Sequence, residues 1–174
     1  MNKRNQARPA PARNSRQYSR ANARVGLVMG QDIDFGDIGA AESIFVEMGV
    51  RLAPMSCGDT QYRMGAPGAT VSVLPTAGLK DVLSGGLAGI VVPSGEAAAG
   101  SEDANSFDDL VKATKGEQLP IMAFGDGVSR TLDALGLPHD ETLPAGVLVH
   151  KGVRLLETAD DLRSAMTVFY RSAA

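Results

Sequence analysis

The sequence predicts an α/β domain: a three-layer sandwich with a mostly parallel central sheet and helices on both faces. Three observations predict it. Val25–Met29, Gly89–Pro93 and Leu119–Phe124 are short, nearly unbroken apolar runs, the composition of strands covered on both sides. Segments of helical period follow across Gly- and Asp-bearing loops. That alternation of strand and helix gives parallel strands joined by crossover helices.

The elements follow in order. Val25–Met29 is the first strand, and the loop Gln31–Asp37 supplies carboxylates that can cap a helix by accepting its orphan N–H groups. Ile38, Ala41, Ile44, Phe45 and Met48 share one face of that helix, which Gly49 ends. Val50–Met55 is a second strand leading to Cys57. Gly65, Pro67 and Gly68 mark a turn, and Ala69–Pro75 alternates as an edge strand or hairpin arm. Leu79–Leu83 is a short helix, Gly89–Pro93 a buried strand ending at Ser94-Gly95, and Asp103–Lys115 a helix.

Leu119–Arg130 organises the rest: a buried strand turns sharply at Gly125-Asp126-Gly127 into a helix marked by Val128, Leu132, Leu135 and Leu137. A strand that turns this abruptly has the geometry of a nucleophile elbow, which holds a reactive side chain at the tip of a sheet. Gly136-Leu137-Pro138 stops the helix. Val147–His150 and Val153–Leu156 flank Lys151-Gly152 as a hairpin. The last helix, Asp160–Arg171, turns Leu162, Ala165, Met166 and Phe169 inward.

The 174 residues suffice for one cored domain, and 44% apolar with 21% charged content is ordinary for a globular chain. No apolar run approaches the roughly 18 residues of a membrane span. A single cysteine, Cys57, excludes an intrachain disulfide and gives no reason for an oxidising compartment; a cytoplasmic setting is expected. The charge is divided. Of 17 Lys and Arg, seven lie in residues 1–24, which hold no acid; the other ten stand beside all 20 Asp and Glu. The body therefore carries −10. Residues 1–23, with Pro9, Pro11 and few large apolar groups, cannot offset their ordering entropy and are expected to be a disordered basic arm before a domain at 24–174. Such an arm folds back on the acidic body or attracts nucleic acid through phosphates; an organelle-targeting role is the weaker reading, since the prolines interrupt an amphipathic helix.

Four stretches, in this order, resemble the ThiJ/PfpI family, with the flavodoxin-like fold of the class I glutamine amidotransferase-like superfamily that includes protein deglycases. Phe35-Gly36-Asp37-Ile38 resembles the family's Phe-Glu-Asp-Ile, and Gly89–Gly95 its Ala-Leu-Val-Leu-Pro-Gly-Gly. Pro120–Gly127 resembles its Pro-Val-Ala-Ala-Ile-Cys-His-Gly, and Val149–Leu162 its closing hairpin and helix. The resemblance spans about residues 24–172. It implies a pocket beyond the carboxyl ends of the strands, formed by Ser94, Gly95, Gly125, Asp126 and Gly127, and a homodimer.

The departures are chemical. The family's nucleophilic Cys aligns with Gly125, the adjoining His with Asp126, and its supporting Glu with Gly36, or with Asp37 after a one-residue shift. The family mechanism needs a thiolate at a helix N-terminus, and glycine offers no attacking atom. Asp126 reads as a helix cap before it reads as a catalytic group. Cys57 is a relocated nucleophile, a redox sensor, or simply a small side chain. His139 falls in the region where the family often carries a functional His, without a confident match, and His150 has no partner pattern. Asp32, Asp34 and Asp37 are capping and solvated carboxylates before they are ligands of a hard cation. No metal or other cofactor is expected. The sequence favours a non-catalytic pseudoenzyme with a binding, regulatory or stress-related role. The alternative is a hydrolase, lyase or deglycase-like enzyme acting on small carbonyl or amide substrates through Asp126, Asp37 or Cys57. A phospho-receiver domain is set aside, because Pro93-Ser94 offers no phosphoacceptor Asp and no Lys follows the elbow strand.

Overall fold

A computed structural model of the chain describes residues 24–29, 39, 43, 46–47, 49–57, 62–66, 69–94, 102–140 and 142–173. The basic arm, the loop holding Asp32, Asp34 and Asp37, Gly95 and the Glu96–Ser101 loop lie outside them. The strands are β1 (Arg24–Val28), β2 (Arg51–Met55), β3 (Tyr62–Ala66), β4 (Ala69–Val73), β5 (Ile90–Val92), β6 (Ile121–Phe124), β7 (Gly146–His150) and β8 (Gly152–Leu156). The helices are α1 (Leu79–Leu83), α2 (Glu102–Gly116), α3 (Gly127–Ala134) and α4 (Ala159–Ala173). Residues 39, 43, 46 and 47 are also helical, and Gly49, at φ +75°, follows them as the sequence predicts.

Six strands form one sheet in the order β2-β1-β5-β6-β7-β8. β2, β1, β5 and β6 run parallel, and the β7–β8 hairpin closes the edge antiparallel to them. This is the three-layer sandwich that the sequence predicts. Of the two readings of Ala69–Pro75, the hairpin arm holds: β4 pairs with β3, Tyr62 opposite Val73, as a separate two-stranded ribbon, and is not an edge strand of the six-stranded sheet.

Successive side chains of a strand point to opposite faces, so the central strands feed two cores. Val91, Met122, Phe124 and Leu148 join α4's Ala165, Met166 and Phe169 on one face. Ile90, Val92, Ile121, Ala123, Val147 and Val149 join Val82, Phe107, Leu110, Val111, Val128 and Leu132 of α1, α2 and α3 on the other. An unbroken apolar run is what such a double-faced strand requires.

Local signals fix the helix ends. Thr158 and Asp161 cap α4 reciprocally: the Asp161 amide donates to Thr158 Oγ1 at 3.1 Å, and the Thr158 amide to Asp161 Oδ2 at 3.1 Å. α3 closes where Gly136 reaches φ +65° and the Leu137 amide donates to the Leu132 carbonyl at 2.9 Å. Leu135 and Leu137, read from sequence as helical positions, therefore fall beyond the helix, although both still pack on its core.

Candidate functional site at the strand-to-helix elbow

β6 is buried at every residue and delivers the chain to Gly125 at its carboxyl end. Gly125 turns at φ +54°, a left-handed conformation that costs an L side chain about 1–2 kcal/mol. The turn is closed by the Val128 amide donating to the Gly125 carbonyl at 3.0 Å. Gly127 then begins α3 pressed against β5. A Cβ there would lie 2.5 Å from the Val92 carbonyl oxygen and 2.7 Å from that of Pro93. The two glycines do different work: one makes the bend, the other brings the helix start onto the neighbouring strand.

Ser94 joins this place from β5. Val92 pairs with Ala123, and Ser94 and Gly125 each follow two residues later, so they emerge side by side. Ser94, Gly125, Asp126 and Gly127 are thus brought together at the carboxyl ends of parallel strands, where ligands bind in open α/β sheets. The expected pairing of this cluster with Gly95 and Asp37 falls outside the described residues.

Asp126 corrects an expectation. It occupies the N-cap position of α3, but its backbone is already helical (φ −64°, ψ −18°) and its side chain makes no capping hydrogen bond. The exposed carboxylate stands at the mouth of the helix, with its charge beside the positive end of the helix dipole. The Asp126 carbonyl instead accepts from Ser129 Oγ at 3.1 Å. One residue on, the Arg130 guanidinium carbon sits 4.4 Å from the centre of the Phe107 ring. This cation–π contact ties the elbow helix to α2 and carries no sequence signal, because the two residues lie on different helices.

The other candidates lie elsewhere. Cys57 follows β2, which β1 and β5 separate from β6. Three strand spacings place it roughly 14 Å from the elbow in the plane of the sheet. Its half-buried thiol is therefore not a substitute for a group at Gly125. His150 ends β7 at the opposite end of that strand from Gly146, which pairs with Phe124 beside the elbow. His139 lies past the far end of α3, where Nε2 is 3.1 Å from Asp133 Oδ1 and Nδ1 is 3.4 Å from the Asp140 carbonyl oxygen. Among the described residues no three His, Cys, Asp or Glu side chains converge as metal ligands, and no helix is long and apolar enough to cross a membrane.

The Asp133 hydrogen bond, helped by the Asp140 carbonyl, holds the His139 pKa above its usual 6.5. A His whose folded pKa is raised adds stability below its unfolded pKa and loses it as pH rises through the folded value. Stability from this contact should therefore fade above about pH 6.5. In an NMR titration, Asp133→Asn is expected to lower the His139 midpoint; an unchanged midpoint would show that the contact does not form in solution.

No family model and no curated sequence matches this chain. Solved structures do. A cysteine-to-alanine mutant of a DJ-1 superfamily protein from Salmonella typhimurium superposes with a TM-score of 0.58 at 13% identity, over 86% of this chain and 89% of that one. A protein described as putative protease I from Bacteroides thetaiotaomicron gives 0.59 at 9% identity, over 87% and 99%. Drosophila melanogaster DJ-1beta gives 0.54 at 13%, over 88% and 91%. The chain has the flavodoxin-like α/β fold of DJ-1/ThiJ/PfpI proteins across most of its length.

Proposed function

We propose that this chain is a non-catalytic protein of the DJ-1/ThiJ/PfpI fold that acts by binding a small ligand at the elbow, as a cytoplasmic homodimer. One observation carries the reading: the elbow keeps its bend at Gly125 and its helix packing at Gly127, while the tip carries no nucleophilic atom. Covalent catalysis at that position has no attacking group. The exposed Asp126 carboxylate disfavours strongly anionic ligands and favours neutral or cationic ones.

The test is turnover of methylglyoxal and a small panel of esters and amides by the natural chain, Asp126→Asn and Cys57→Ser. Background rates for all three are expected. Turnover by the natural chain that one substitution abolishes would establish the alternative reading, an enzyme working through Asp126 or Cys57.

A further inference from the structure

A recess lies beside Leu132 of α3. Residues 137–140, 142 and 144, with Val153 and Leu155 of β8, border a hollow of about 660 Å³. Leu137, Pro144, Val153 and Leu155 give it an apolar floor; Asp140 and Glu157 stand among its lining residues, which include His139 but no Lys or Arg. Val153 is 43% and Leu155 50% exposed. They pair across the hairpin with Val149 and Val147, so they extend the sheet face covered by α1, α2 and α3. β8 is also the last strand in the sheet order. The result is an apolar face with an acidic border.

The sequence contains a segment of matching chemistry. Residues 1–23 hold Lys3, Arg4, Arg8, Arg13, Arg16 and Arg20, no acid, and Tyr18 with several Ala and Pro. Arginine stems cover apolar surface while their charged heads reach carboxylates. The segment ends at Arg24, where β1 starts, at the same end of the sheet as the start of β8. Four strand spacings, about 19 Å, separate those strands. An extended 23-residue chain spans up to roughly 75 Å, so reach within one molecule is ample and the tether makes the encounter intramolecular. An adjoining hollow shares Val153 but is lined by Lys115 and Lys151, which repel such a segment. We propose that the basic segment 1–23 of the same chain docks over the hollow that residues 137–140 form with β8, its arginines set against Asp140 and Glu157.

The experiment uses the full chain with Cys57→Ser and a nitroxide on Ser15→Cys. Methyl signals of Leu137, Val153 and Leu155 should broaden more than those of Leu162 and Val168 on α4. Asp140→Asn with Glu157→Gln, both exposed and conservative, should weaken the broadening about fivefold or more, and so should 1 M salt, where the screening length falls to about 3 Å. Uniform broadening over the surface, or broadening that ignores both changes, overturns the proposal. A mixture of isotope-labelled and spin-labelled chains should show none; broadening there would assign the site to a second copy and overturn docking within one chain.

Discussion

Gly127→Ala is expected to destabilise the fold by about 2–4 kcal/mol, although the same change at an ordinary helical glycine stabilises by nearly 1 kcal/mol. The sign reverses because the new methyl would meet the carbonyl oxygens of Val92 and Pro93 at 2.5 and 2.7 Å. Both are backbone atoms, one at the end of the buried strand β5 and one in the buried residue that follows it, and no rotamer change relieves them. Either α3 lifts away from β5 or the strand end moves, and each outcome opens the core beneath Val128. Urea unfolding of the variant checks the value. A loss below about 0.5 kcal/mol would mean that the helix start is not seated against β5 in solution.

Phe169→Ala should cost about 3–5 kcal/mol. The ring is fully buried in the core formed with Met122, Phe124, Leu148 and Met166, and its Cζ lies 2.9 Å from where a Cβ on Gly89 would stand. Gly89 leaves space that the ring occupies, so truncation leaves a void between α4 and β5 that neither neighbour has atoms to fill. Calorimetry should show a large fall in Tm. A fall of only a few degrees would mean that α4 is loosely packed.

Most of this architecture is legible because burial writes itself into composition. Gly89–Pro93 and Leu119–Phe124 had to be unbroken apolar runs, since their alternate residues serve different cores. The elbow is legible for a related reason: only small residues permit so abrupt a turn, and Gly125 and Gly127 bracket it. What sequence could not give was which glycine bends and which packs, because φ and close approach both select glycine. Asp126 misled because Asp before a helix normally caps it; here its backbone has already entered the helix. Some side-chain placements also left no trace. The pairing of Arg130 with Phe107 between helices, the contact of Asp133 with His139 six residues on, and the full burial of Thr131 have no local pattern that distinguishes them from surface neighbours. The separate β3–β4 ribbon was half legible: its turn was clear, but alternation cannot say which sheet a strand joins.

The two-sided sheet sets an order of events during synthesis. The side built with α1, α2 and α3 draws nearly all its apolar groups from residues up to Val149, so it can begin to close while the chain is still being made. The other side needs Ala165, Met166 and Phe169, which follow every strand. At roughly 5–20 residues per second, Met122 and Phe124 of β6 wait about 2–10 s for that cover. In that interval the nascent chain shows one finished flank and one sticky one, and a chaperone protecting it would be expected to sit on the α4 side.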